Sequence, residues 1–305
     1  MDLPDPRAGE GEVVVRAEAI DTIYLETQIR SGWGTVFGVV PPYVPGGAAA
    51  GTVVSTGPGV SPSWLGRRVV AGPGTHGSYA ELVRAGVDRL VPVPERLDLR
   101  EAAGLAHDGV TGTGIIEHAS VKPGDRVLIL GAAGGMGTLL VQLAHSLGAQ
   151  VVGAARGKAK LALVRQLGAD AAVDYAEDGW TDSVRDAFGG LPVDVLLDGV
   201  GGDLGTEAFH LVADGAHVST HGAASGDFAR VDEQAVKARG IVLRGITDVQ
   251  FEAPEMVRLA SKALASAAEG RMRPVIAREY PLSAAAEAHR AMEARSIPGK
   301  GLLIP

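Results

Sequence analysis

The run Arg126-Val-Leu-Ile-Leu-Gly-Ala-Ala-Gly-Gly-Met-Gly137 constrains this chain more than any other segment. Its residues 127–130 are continuously apolar, the pattern of a parallel strand covered on both faces. Gly131, Gly134, Gly135 and Gly137 then let the backbone turn tightly and come close to a ligand. Thr138-Leu-Leu-Val-Gln-Leu-Ala-His145 follows, with apolar residues at helical spacing. A helix starting there would aim free N–H groups and a partial positive charge at a phosphate. A glycine pattern alone is weak, and it also suits a plain turn in another α/β protein. The flanking strand and helix, with a second apolar strand Gln150-Val-Val-Gly-Ala-Ala155, predict a dinucleotide site on Gly134, Gly135, Met136 and Gly137.

The same alternation continues downstream. Apolar strands are expected at 127–130, 151–155, 171–173, 193–198, 217–220 and 241–245, with helical segments between them. That order predicts an α/β fold with a doubly wound parallel sheet. The first hundred residues read differently. Short strands are expected from residue 12 and at 48–56, 67–71 and 78–84, separated by Gly57-Pro-Gly59 and Gly72-Pro-Gly74. Beyond residue 250 the pattern changes again: a helix at 255–269, a strand at 275–280, a helix at 283–294 capped by Ser283, and a last strand at 301–304. These pieces are expected to rejoin the N-terminal β-rich part. The domains are then 1–108 with 251–305, and 109–250.

Composition narrows the function. The 305 residues are 46% hydrophobic, enough for substantial cores. A formal net charge of -8 argues against nucleic-acid and membrane-surface partners, which select basic patches. With no cysteine, there is no disulfide, thiolate ligand or thiol nucleophile. No apolar stretch approaches a membrane span and no signal-peptide pattern opens the chain, so a cytoplasmic protein is expected.

Several separated motifs carry a family resemblance. Pro45-Gly-Gly-Ala-Ala-Ala-Gly51, Val121-Lys-Pro-Gly-Asp-Arg-Val127, the glycine turn, Leu167-Gly-Ala-Asp170 and Gly299-Lys-Gly-Leu-Leu-Ile-Pro305 fall in the order of the medium-chain dehydrogenases/reductases. Over nearly its whole length the chain resembles their zinc-independent NADPH:quinone oxidoreductase branch. The resemblance implies a Rossmann domain, a discontinuous GroES-like catalytic domain and a cleft between them. It also implies a homodimer, joined through the sheet edge at 241–247. Two departures stand out. The family usually has an additional strand before the segment at Glu10-Gly-Glu12-Val13, so the N-terminus looks shortened, with an exposed edge or altered cleft as the expected result. The family also has apolar residues where Leu105-Ala-His-Asp-Gly-Val-Thr111 carries His107 and Asp108.

The cofactor follows from the second strand. NAD-selective Rossmann folds place an acid after it, to bind the ribose hydroxyls. Here it ends Gly153-Ala-Ala-Arg-Gly-Lys-Ala-Lys160, without one. Arg156 and Lys160 are candidates for a 2′-phosphate, because cations sit unfavourably at a helix start without an anion. The resemblance implies that Lys160 and Tyr175 touch this phosphate, that Thr111 approaches the nicotinamide, and that His221, Gly222 and Ser225 run past its ribose. NADPH rather than NADH is the expected cofactor. A blander reading makes Gly222 a strand-end turn, and Ser225 the same.

No zinc is expected. The regions where the zinc-using branch has its first ligands read Ala19-Ile-Asp-Thr-Ile-Tyr24 and Gly46-Gly-Ala-Ala49, with neither Cys nor His. His217 and His221 have helix-pair spacing, but they are expected on a strand ending at Gly222, where that spacing does not bring them together. A zinc-free site polarises a carbonyl by hydrogen bonds, which suits electrophilic acceptors such as quinones and α,β-unsaturated carbonyls. Tyr24, His107 and Asp108 are the catalytic candidates. Tyr24 matches a nicotinamide-pocket position and is equally suited to packing. His107 and Asp108 could form an oriented donor pair, although consecutive helical side chains diverge and a capping role fits as well. Tyr43, in Pro41-Pro-Tyr-Val-Pro45, reads as a packing residue of a rigid loop. The expected activity is quinone reduction; the alternatives are an enone or enoyl reductase and a non-catalytic NADPH sensor.

Overall fold

The computed structural model describes residues 3–72 and 76–305. The chain divides into two units, one of residues 1–110 and 252–305, the other of residues 111–251.

In the first unit the chain runs β1 (Glu12–Asp21), α1 (Tyr24–Arg30), β2 (Ala49–Thr56), β3 (Arg68–Ala71), β4 (Leu82–Gly86), β5 (Leu90–Pro92) and α2 (Leu99–Gly104). Helix α3 (Asp108–Ala119) leads into the second unit. Alternation drives β1: Val13, Val15 and Ala17 are buried, in one core with Val53, Val69, Val83 and Leu303. The sheet order is β12-β13-β1-β2-β3-β5, with β4 also paired to β1. The two C-terminal strands, β12 (Ile276–Pro281) and β13 (Lys300–Ile304), thus complete the N-terminal sheet, as the sequence leads one to expect. Helices α9 (Ala253–Ala268) and α10 (Ala285–Glu293) belong to the same unit.

Two expectations need correcting here. The strand expected at 78–84 starts only at Leu82. The Ser78 and Tyr79 N–H groups bond to the Gly46 and Pro45 carbonyls instead, which holds this stretch against the loop before β2. Ser283 does not cap the last helix. It lies inside a 3₁₀ turn, Leu282–Ala284, and α10 starts from Ala284 without a side-chain cap. Of the Gly72–Gly74 turn, Pro73 and Gly74 lie outside the described residues.

The second unit alternates strictly. Its elements are β6 (Arg126–Leu130), α4 (Gly135–Ser146), β7 (Gln150–Ala155), α5 (Lys158–Gln166), β8 (Ala171–Asp174), α6 (Trp180–Ala187), β9 (Val193–Asp198), α7 (Gly202–Phe209), β10 (Val212–Thr220), α8 (Glu233–Ala238) and β11 (Val242–Gly245). The order β11-β10-β9-β6-β7-β8 is parallel throughout. It is the doubly wound order, with a switch point between β6 and β9. Both faces are covered, which is why β6 is apolar throughout 127–130. Val127 and Ile129 pack with Leu140, Val141 and Ala144 of α4, while Leu128 and Leu130 pack with Trp180, Val184 and Phe188. Among the described residues no helix is long and apolar enough to cross a membrane.

Candidate functional site

Ligands of doubly wound sheets bind beyond the strand ends at the switch point. Leu130 pairs with Asp198 there, so the turns after β6 and β9 lie side by side. Gly131 has φ of 72°, and a Cβ at Gly137 would stand 2.2 Å from the Gly131 carbonyl oxygen, so helix and turn touch through backbone alone. Helix α4 starts at Gly134, which has no side chain to cap it, leaving the first-turn N–H groups aimed outward. A Cβ at Gly153 would meet Val164 at 2.4 Å, so that glycine lets α5 lie close on β7.

Asp198, which the sequence reading passed over, ties this region together. Its Oδ1 accepts from the Val200 and Gly201 N–H groups at 2.9 Å each, and its carbonyl accepts from His221 and Gly222. One buried residue therefore fixes the β9 turn to the loop carrying His221, Gly222 and Ser225. His221 is itself buried, 3.1 Å from the Ser219 hydroxyl, and burial lowers its pKa to about 4, so the ring is neutral at pH 7. Ser225 is exposed, with its N–H on the Val200 carbonyl. Thr111 lies in α3 and is half-buried.

No acidic residue follows β7 in the sequence before α5; the carboxylate at its end is that of Asp174, from the neighbouring β8. Arg156 lies over the Tyr175 ring at 5.9 Å, and Asp174 accepts the Gly157 N–H at 2.8 Å, which orders the start of α5. Lys160 falls in the first turn of α5. Glycine backbone, uncapped helix and this pair of cations fit a dinucleotide with a 2′-phosphate.

The first unit holds a second constellation, centred on the end of β1. Asp21 and Lys300, at 1% and 3% exposure, form an ion pair of 2.6 Å. The Lys300 ammonium also reaches Asp108 Oδ2 at 3.1 Å and donates to the Thr22 carbonyl at 3.0 Å. His107 Nδ1 stands 3.0 Å from Asp21 Oδ2. His107 and Asp108 therefore do not pair with each other, as the sequence allowed. Each meets a different side of the Asp21–Lys300 pair, because His107 precedes α3 and Asp108 begins it.

The pKa shifts follow from this packing. Burial would raise the Asp21 pKa, but Lys300 and then His107 outweigh it and hold it below the usual value. Burial opposes charge on His107 too, and the Asp21 hydrogen bond and carboxylate overcome that and raise its pKa. For Asp108 burial wins over Lys300, and the pKa rises. Nearby, Glu26 reaches back to the Ile23 N–H at the start of α1 and accepts from Gly47 N–H, both at 3.1 Å, and from the Tyr79 hydroxyl at 2.6 Å. Tyr24 opens α1 with its side chain 38% exposed, apart from this network. Asp21, Lys300, Glu26 and Tyr79 escaped the sequence reading. The available signal was an acid ending an apolar strand and a lysine opening another.

Comparison with known proteins agrees with this architecture. Residues 9–95 match the family described as "Alcohol dehydrogenase GroES-like domain", and residues 135–262 the one described as "Zinc-binding dehydrogenase". The chain has no cysteine, and no cluster of three or more His, Asp or Glu among the described residues is arranged to hold a metal ion. A Burkholderia "2-haloacrylate reductase" is 33% identical, covering 97% of this chain and 92% of that protein. A Pseudomonas aeruginosa "Quinone oxidoreductase" is 30% identical, covering 100% and 94%. The Escherichia coli quinone oxidoreductase complexed with NADPH superposes with a TM-score of 0.90 at 26% identity, covering 100% and 95%. A mycobacterial protein complexed with NADPH gives 0.90 at 32%, covering 100% and 94%. The chain belongs to the medium-chain dehydrogenase/reductase superfamily, in its quinone oxidoreductase branch.

Proposed function

We propose that this protein is an NADPH-dependent reductase that passes a hydride to a quinone without zinc. The observation that carries the reading is the uncapped start of α4 at the switch point, together with a β7 end followed by Arg156 and Lys160 and by no acid of its own. Gly134, Gly135, Met136 and Gly137 would hold the diphosphate, and Arg156, Lys160 and Tyr175 the 2′-phosphate. Thr111, His221, Gly222 and Ser225 would contact the nicotinamide end, where a neutral His221 adds no charge. When bound, NADPH supplies the hydride. The chain's part is to place the cofactor, keep the acceptor oriented and provide a proton. His107 is the proton donor of this reading, Asp108 acts through its charge on Lys300, and Tyr24 lines the acceptor. A cytoplasmic homodimer joined along β11 completes the proposal; the exposed Val242 on that edge strand supports it.

The likeness to a 2-haloacrylate reductase favours a second reading, saturation of an activated C=C bond. NADPH oxidation followed with a panel of quinones, enones and 2-haloacrylates distinguishes them. Turnover with quinones at least tenfold above the others supports the first reading, and the reverse order supports the second. Tight NADPH binding with no turnover on any acceptor would sink both and leave a cofactor sensor.

A further inference from the structure

His107 is held at one nitrogen only. Its Nδ1 faces Asp21, while among the described residues Nε2 takes no hydrogen-bond partner and is not one of the enclosed unpartnered atoms. The side chain keeps 19% of its surface exposed, whereas Asp21 keeps 1%. This is the geometry of an imidazole oriented by a carboxylate behind it.

We propose that Asp21 and Lys300 are positioning residues for proton delivery from His107 Nε2, and that the acceptor is reduced by two electrons, as hydride plus proton. The proposal rests on the reductase reading above. Asp21 fixes which nitrogen is open: with Nδ1–H donated to its Oδ2, the proton that can leave is the one on Nε2. Lys300 fixes Asp21. It grips the other carboxylate oxygen at 2.6 Å and is itself held by Asp108 and the Thr22 carbonyl. Thr22 in turn donates to the Gly301 carbonyl at 2.8 Å, locking the end of β1 to the start of β13.

The charged groups facing His107 are Asp21 from the end of β1, Glu26 from α1, Lys300 from β13 and Asp108 from the start of α3. The carboxylates favour the imidazolium and Lys300 opposes it. Lys300 therefore has two effects: it orients Asp21 and keeps Asp21 from holding the His107 proton too firmly. With the cofactor bound, the hydride it supplies would bond to the acceptor and an electron pair would move onto the acceptor's carbonyl oxygen. The Nε2–H bond breaks, an O–H bond forms there, and the neutral imidazole regains a proton from water. A one-electron transfer would leave a radical anion and need no such donor.

The test combines NMR titration of the imidazole resonances with turnover measurements. His107→Gln assigns the His107 signal. We expect a wild-type midpoint above about 6.5, the ordinary value, falling by about one unit in Asp21→Asn and rising in Lys300→Gln. The high-pH limb of quinone turnover should move with each midpoint, and Asp21→Asn should lose about 10²-fold in kcat at pH 7 with NADPH affinity within about twofold of wild type. NADPH and quinone should be consumed one to one without a semiquinone signal. Lys300→Arg keeps the charge and serves if Lys300→Gln does not fold; its midpoint should stay near wild type. A wild-type midpoint below the ordinary value overturns the inference, as does a midpoint or pH limb that ignores Asp21→Asn, or a semiquinone product. If no acceptor is turned over at all, the reductase reading falls and takes this inference with it. Turnover with an unmoved pH limb removes the inference alone.

Discussion

Lys300 and Asp21 face each other at 2.6 Å across neighbouring strands, one opening β13 and the other closing β1. Their exposures of 3% and 1% make this a buried ion pair, in which removal of one partner leaves an uncompensated charge. Lys300→Met should therefore cost about 3–5 kcal/mol. The double variant Asp21→Leu, Lys300→Met should recover most of that loss. Urea unfolding of the three proteins measures it, and a single variant as stable as wild type would show that the pair is not a stabilising unit.

At the other unit, Lys160→Glu should weaken NADPH binding about 10- to 100-fold, the worth of one charge-assisted hydrogen bond to phosphate. NADH binding should be unchanged. An acid in the first turn of α5 favours the helix dipole, so loss of the helix would not explain the result. Fluorescence titration with both cofactors reads the outcome. Equal losses for the two would remove Lys160 from the 2′-phosphate site.

Gly137→Ala should damage fold and binding together. The added methyl would stand 2.2 Å from the Gly131 carbonyl oxygen, and backbone cannot yield as a flexible side chain does. A loss of about 1–3 kcal/mol is expected, with at least a tenfold fall in NADPH affinity as α4 is pushed from the turn. Calorimetry with and without NADPH checks both. Unchanged affinity would mean that the turn is not the diphosphate cradle.

His221 should make the protein acid-sensitive. Its folded pKa of about 4 lies below the ordinary 6.5, so between these values the unfolded chain binds a proton that the native state refuses. Its contribution is fully present above pH 6.5 and fades as pH falls towards 4. The whole effect is about 3 kcal/mol at most. In His221→Gln the unfolding free energy should fall less between pH 7 and pH 4.5. An identical pH dependence in both proteins would show that His221 is not buried as a neutral ring.

Sequence alone carried much of this protein. Continuous apolarity at 127–130, glycines at 131, 134, 135 and 137, and the absence of acid after 155 are local features. Each acts through neighbours a few residues away, so strand, turn and helix can be read in order along the chain. The strand boundary at 78–84 failed for a related reason. Its residues have strand-like composition, but their N–H groups are taken by a loop distant in sequence.

The cluster around Asp21 could not be read that way. His107 and Asp108 invited pairing because they are adjacent, yet each is bound to a partner about eighty or two hundred residues away, and those partners meet only when β13 returns to lie on β1. A carboxylate's partner is set by distance in space, and the field it exerts on His107 depends on burial that only the completed sheet provides. The sequence thus determined the strand, glycine turn and helix of the second unit and which residues follow its second strand. Only the tertiary structure decided which acid stands behind His107 and which nitrogen that leaves open.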